Sequence, residues 1–276
     1  MITVAKLNIY PIKSTAGFSP FESTLETRGF CYDRRMALVN ASSHKIITAR
    51  ESPTLLGIQT RISGSHWVAN HSNTSLTFPL LPQSNDISLV TLFTKAQYPG
   101  IRYPDKINRW FSSYLGIECY LIYMGKDCQR DLPQNTQFGY KNQNGDTVSY
   151  ADDYPLLIVS EASLGDLNVR IGKTIPMHRF RPNIVLSGCA AYEDDLWQRI
   201  RIGECELEFA QPCTRCVITT IDQETYIKDE IQEPLRTLAT YRRTPEGRVK
   251  FGTHWIPRGL GKIKVGDTVK MLQTSK

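Results

Sequence analysis

No stretch of this 276-residue chain approaches the ~20 consecutive apolar positions that a membrane-crossing helix requires. Its start, Met1-Ile2-Thr3-Val4-Ala5-Lys6, has no apolar core of signal-peptide length, so neither a secretory leader nor a membrane anchor is expected. The seven cysteines are odd in number and lack framework spacing, which argues against a disulfide scaffold and for a reducing cytoplasm. There is no internal repeat or low-complexity segment. Neither sign of charge dominates. The net charge of +6 fits an anionic ligand or an acidic partner as well as nucleic acid. A hydrophobic share of 41% and a charged share of 22% describe an ordinary globular chain with ample core.

What the sequence does contain centres on Gln211-Pro212-Cys213-Thr214-Arg215-Cys216. Before it, Glu204-Cys205-Glu206-Leu207-Glu208-Phe209 alternates acid with apolar residue, the period of a half-buried strand. After it, the β-branched run Val217-Ile218-Thr219-Thr220-Ile221 predicts a second strand. Two thiols thus sit on a turn at the mouth of a sheet with a guanidinium between them. A thiolate is a soft ligand for a transition metal, and a neighbouring cation favours its ionised form. Three other readings stay open: half a structural zinc site, a redox pair, and an inert buried pair. Cys31, Cys119, Cys128, Cys189 and Cys205 supply no second close pair for zinc. A redox pair normally opens a helix, whereas strand formers follow here.

In chain order, Val4 to Ile12 predicts a strand stopped near Pro11 that delivers Lys13-Ser14 onto a loop, an arrangement suited to a phosphate or other anion. A turn bearing Arg34 and Arg35 precedes a strand through Val39, and Lys45 to Glu51 predicts another, ending in Arg50-Glu51. Short strands over residues 55–93, with turns at Ser63-Gly64 and Gln83-Ser84-Asn85, suggest a small barrel or sandwich. Around Tyr98-Pro99-Gly100 the texture changes, which divides the chain into residues 1–98 and 99–276. A helix opens at Asp105 and ends at Gly116, a strand covers Cys119 to Tyr123, and residues 124–147 predict a long polar loop. Ser160 is placed to cap a helix after the strand Leu156 to Val159. Arg179-Phe180-Arg181-Pro182-Asn183 then precedes an apolar strand, and guanidinium suits bidentate recognition of carboxylate or phosphate. Glu193 to Trp197 predicts one helical turn, Pro234 the first position of a helix, and Ile263 to Met271 a hairpin turning at Gly266-Asp267.

Taken together, Tyr10-Pro11-Ile12-Lys13-Ser14, Tyr32-Asp33-Arg34-Arg35, Thr48-Ala49-Arg50-Glu51, Arg179-Phe180-Arg181-Pro182-Asn183, Pro212-Cys213-Thr214-Arg215-Cys216 and Ile263-Lys264-Val265-Gly266-Asp267 resemble, in order, the motifs of the MOSC family. The match looks closest to the branch of the mitochondrial amidoxime-reducing component and the bacterial YcbX-like proteins, and it covers nearly the whole chain. It implies an α+β, β-dominated fold: an N-terminal β-barrel region over 1–98 packed against a MOSC β-barrel domain over 99–276, with a few peripheral helices. It also implies a molybdenum–pterin cofactor with one protein thiolate as a metal ligand. Cys216 matches that ligand and Cys213 is its neighbour. Lys13, Ser14, Arg34 or Arg35, Arg50, Arg181 and Asn183, with Thr214 and Arg215, match positions that hold the cofactor's phosphate and pterin.

Two departures from the branch stand out. Relatives commonly follow the cysteines with Asp-Pro-x-Thr-Gly, where this chain has Asp222-Gln223-Glu224-Thr225-Tyr226. Some bacterial relatives carry a ferredoxin-like domain, whereas these residues contain no Cys-x₄-Cys-x₂-Cys set. Electrons are therefore expected from a separate protein of ferredoxin, flavodoxin or cytochrome b5 type. The resemblance implies a reductase of N-hydroxylated compounds such as amidoximes and hydroxylamines. Asp222 and Asp153 are candidate proton donors through their nearness to matched motifs. A rival expectation is a carrier that binds the cofactor or a persulfide and hands it on. A nucleic-acid-binding barrel is a third, opposed by arginines that fall in single motifs and form no basic stripe.

Overall fold

The computed structural model describes residues 1–93, 96–134 and 142–274. The fold is β-dominated α+β, as expected, with 40% of residues in strands and 17% in helices. A curled seven-stranded sheet runs in the order Thr3–Leu7, Ile184–Ser187, Leu156–Ser160, Lys250–Pro257, Cys205–Thr214, Trp197–Ile202 and Val269–Thr274. Its inward faces bury Leu207, Phe209, Trp197, Trp255 and Ile158, with Phe209 and Trp255 edge-to-face at 5.8 Å. The Cys205–Thr214 strand carries the alternation read from sequence, with Cys205, Leu207 and Phe209 inward. A second sheet pairs Met36–Asn40, Cys119–Tyr123, Gln97–Arg102 and Ile87–Thr91, beside a three-stranded meander over Gln59–Ser63, His66–His71 and Thr74–Pro79. Trp67, Phe78 and Phe111 fill the core beneath that meander.

Helix Asp105–Leu115 ends at left-handed Gly116, and helix Glu161–Ile171 starts at Ser160, whose hydroxyl accepts the Ser163 N–H at 3.0 Å. The first residues are stitched to the last part of the chain: Thr3–Leu7 pairs Ile184–Ser187, and Glu22–Glu26 pairs Gly261–Lys264. Lys13 and Arg34, which follow these strands, are thereby carried to the junction of the two sheets. The division expected at residues 98 and 99 falls inside Gln97–Arg102, which is paired on both sides.

Four local expectations are corrected. Val217–Thr220 is a 3₁₀ turn, although its residues are strand formers. The Thr219 and Thr220 hydroxyls donate back to the carbonyls of Cys216 and Val217 at 3.0 and 2.7 Å, so side chains take the groups a ladder would use. The absence of a helical turn after the cysteines therefore no longer separates them from a redox pair. Lys45 to Glu51 makes only isolated bridges at Lys45 and Ile46 before turning. The turn at Gly266 exists, with φ 93°, but its arms join different sheets, Gly261–Lys264 with Glu22–Glu26 and Val269–Thr274 with Trp197–Ile202. Pro234 caps its helix, Leu235–Tyr241, from outside. Of the expected loop at 124–147, residues 135–141 lie outside the described set.

Candidate active site

The cysteine strand is bent where the chemistry lies. Its pairing with Lys250–Pro257 shifts register between Phe209 and Gln211 and again between Pro212 and Thr214. Such irregularities re-aim side chains, and they accommodate a proline that cannot donate to the ladder. Gly252 has φ 78°, and a Cβ there would lie 2.7 Å from the Ile158 carbonyl, so only glycine lets the strands pass this closely. Beyond the bend opens a cleft of about 530 Å³ lined by both cysteines.

Lys13, Ser14, Arg34, Arg50, Arg181, Asn183, Cys213, Thr214, Arg215 and Cys216 all line this cleft. Lys13 is 3% exposed; its Nζ donates to the Tyr150 carbonyl at 2.7 Å and pairs with Asp152. Burial lowers the Lys13 pKa to about 8 against the opposing pull of Asp152. The Asp152 carboxyl also takes Arg50 at 2.9 Å, and Arg50 reaches the Cys216 Sγ at 3.5 Å. Arg34 and Arg181 both stack on the Tyr10 ring, at 4.3 and 4.2 Å. Burial lowers Arg181 to about 10, with Arg34 adding repulsion, and burial raises Tyr10 to about 12. Arg34 donates to the Asn183 Oδ1 at 3.1 Å and Arg181 to the Thr15 carbonyl at 2.7 Å. Asn183, which also accepts the Leu157 N–H at 3.2 Å, thus ties the strand to the arginine pair.

At the cysteines, Arg215 Nη1 donates to the Cys213 Sγ at 2.8 Å and Nη2 to the Phe180 carbonyl at 2.7 Å. Burial alone would raise the Cys213 thiol; Arg215 and His254 outweigh it and bring its pKa below the ordinary value. Cys216 is half-buried at the start of the 3₁₀ turn.

Two expected residues lie elsewhere. Arg35 turns away from the cleft and pairs with Glu26 beside Cys31 and Tyr123. Asp222 is also not among the cleft-lining residues. It accepts the Thr225 and Glu224 backbone N–H groups and pairs with Arg179 at 2.7 Å, which together lower it to about 2. A carboxyl held ionised this firmly is a poor proton donor. The expected alternative, Asp153, does line the cleft, 3.8 Å from His254 Nε2. Sequence reasoning missed Asp152, His254, Arg248 and Phe93, all in the cleft wall. The Asp152-Asp153 pair before a buried strand was a usable signal; His254, inside the apolar run Phe251 to Ile256, was masked as core.

Six cationic side chains (Lys13, Arg34, Arg50, Arg181, Arg215, Arg248) face the cleft against two carboxylates. Arg181 Nη2 and Arg215 Nε are buried with no hydrogen-bond partner among the described residues. Uncompensated buried cations are costly, so the donor set fits a multiply anionic ligand. Among the described residues, no group of three or more His, Cys, Asp or Glu side chains could hold a metal ion. A metal here would need donors beyond a single thiolate, which fits one carried by an organic cofactor.

A curled β-sheet whose irregular cysteine strand borders a cationic cleft is the setting of a MOSC domain. Residues 145–270 match the MOSC domain and residues 1–118 the MOSC N-terminal beta barrel domain, and the chain belongs to this family. Over 97% of its length it is 35% identical to mitochondrial amidoxime reducing component 2 of Rattus norvegicus, covering 82% of that protein. It is 32% identical over 98% of its length to mitochondrial amidoxime-reducing component 1 of Homo sapiens, covering 83% of it. A molybdenum cofactor sulfurase of Oryza sativa subsp. japonica is 31% identical over 91% of this chain, which spans 32% of that longer protein.

Proposed function

We propose that this chain is a molybdenum-cofactor-dependent reductase of N-hydroxylated compounds. The convergence of Lys13, Ser14, Arg34, Arg50, Arg181, Thr214, Arg215 and the two cysteines on one cleft carries this reading. The names of the relatives that cover most of this chain's length point the same way. Lys13, Arg34, Arg50 and Arg181 would hold the cofactor's phosphate and pterin, and Cys216 would be the metal ligand. When bound, the cofactor supplies two-electron redox chemistry, converting an N–OH group to N–H and water with two electrons and two protons.

The protein's own side chains set the conditions for that chemistry. Arg50 contacts the Cys216 sulfur at 3.5 Å and holds a positive charge beside it. Asp152 holds Lys13 and Arg50 at fixed places along the wall. The Tyr10 ring packs against the guanidiniums of Arg34 and Arg181 and helps fix both in the cleft wall. A separate electron-transfer protein of ferredoxin, flavodoxin or cytochrome b5 type would supply the electrons. Seven unpaired cysteines favour a reducing compartment, and the cytoplasm is our proposed location. No helix among the described residues is long and apolar enough to cross a membrane.

The test is metal and pterin analysis of the purified protein, with reduction of an aryl amidoxime by the wild type and Cys216→Ala. Stoichiometric molybdenum, turnover in the wild type and none in a folded C216A variant are expected. Full turnover in C216A would remove Cys216 from the metal. A carrier reading is favoured by one observation, the Arg215-supported Cys213 thiol beside Cys216. A protein-bound persulfide in metal-free protein would select it.

A further inference from the structure

Phe93 is 55% exposed, lines the cleft, and sits at φ 56°, a left-handed conformation that bulky side chains rarely adopt. The preceding residues explain how it is held there. The Thr91 N–H donates to the His44 carbonyl and its own carbonyl accepts the Ile46 N–H, both at 3.0 Å. Leu92 is plugged into the core formed with Val90, Tyr120 and Ile122. With Thr91 pinned and Leu92 inside, the left-handed turn throws the next side chain outward over the cleft. Its ring centroid lies 4.9 Å from both Lys13 Nζ and Arg50 Cζ, the two cations joined by Asp152. An apolar ring spread over two charged groups and left half in solvent presents a flat face that nothing among the described contacts covers. Burial does not account for it, because the residue is 55% exposed.

We propose that Phe93 is a specificity-determining platform at the cleft mouth, stacking the planar apolar part of an aromatic N-hydroxylated substrate while the N–OH group points inward. This rests on the reductase reading of the cleft. Offset stacking on an aromatic face is directional and modest in strength, so its loss weakens binding without touching the chemical step. A small substrate without a ring gains nothing from the platform.

The experiment compares the purified, cofactor-loaded wild type with Phe93→Ala and Phe93→Trp, using an aryl amidoxime and hydroxylamine as substrates and a chemical reductant as electron source. A second readout is calorimetric binding of an unreactive arylamidine. In F93A, KM for the aryl amidoxime should rise about three- to tenfold with kcat unchanged, and arylamidine binding should weaken by the same factor. Hydroxylamine kinetics should not move, and F93W should restore aryl KM. An equal change for both substrates, or no change for either, overturns the proposal. So does loss of molybdenum and pterin from F93A, which would put the ring on the cofactor. Wild-type protein that reduces neither compound refutes the reductase reading instead, and arylamidine binding then still tests the ring on its own.

Discussion

Replacing Lys13 by methionine should stabilise the metal-free protein while destroying its hold on the cofactor. The Lys13 ammonium is 3% exposed and its pKa has fallen from 10.5 to about 8, chiefly through burial. That fall corresponds to about 3 kcal/mol against the charged form in the folded state. Asp152 offsets part of the burial cost, and in the variant it keeps Arg50 at 2.9 Å. Methionine has a similar length without the charge. It gives up the Asp152 pair and the Tyr150 carbonyl bond, but the depressed pKa already includes the Asp152 attraction, so shedding the charge should still gain about 1–3 kcal/mol. The pH dependence carries a sign that can be checked. Because the folded pKa is depressed, the unfolded chain binds more protons between about pH 8 and 10.5, so stability rises with pH there. From this group alone, wild-type metal-free protein should gain about 2 kcal/mol between pH 7 and 9.5, and K13M should lack that gain. Urea unfolding of both proteins at the two pH values measures it, with molybdenum content after reconstitution as the functional arm. The reasoning is refuted if K13M is less stable at pH 7, keeps the pH response, or retains wild-type molybdenum.

Arg215→Gln removes the 2.8 Å guanidinium contact on the Cys213 sulfur, so burial should win and the thiol should titrate higher; thiolate ultraviolet absorbance against pH, with Cys213→Ser as blank, reads the change. Asp194 is buried against Thr253, and its pKa is raised to about 6, chiefly by burial and then by Asp195. A raised carboxyl pKa means that the folded state keeps a proton the unfolded chain has lost, so this group's contribution to stability falls as pH rises from about 4 to 6. Asp194→Asn should therefore raise the melting temperature at pH 7 and lose that advantage below about pH 4. An unchanged melting temperature at pH 7 would show that Asp194 is not strained.

Much of this architecture is legible in the residues. The acid–apolar alternation before Phe209 is a strand, the helix opening at Asp105 ends at Gly116, and Ser160 caps where its hydroxyl suggests. The cationic residues that line the cleft fall mostly in short motifs at strand ends, where a sheet naturally delivers side chains to one rim. Arg34 and Arg35 could not be told apart. Adjacent in sequence, they are sent to opposite sides because Arg34 adopts φ 49° and the strand begins at Met36. Asp222 looked eligible by nearness to the cysteines, yet its turn closes on its own backbone and on Arg179. Val217–Thr220 shows propensity overruled by threonine hydroxyls bonding back to the chain.

The amino-acid sequence alone settled the β-rich class, the chain's family and the identity of most of the cationic side chains at the cleft, because periodicity, charge and motif order are local properties. The tertiary structure decided which arginine faces inward, that Asp152 pairs Lys13 with Arg50, and that Phe93 overhangs the opening. Those outcomes depend on backbone handedness at single residues and on strand pairings across more than a hundred positions, as between Glu22–Glu26 and Gly261–Lys264. No local pattern encodes a partner that far away.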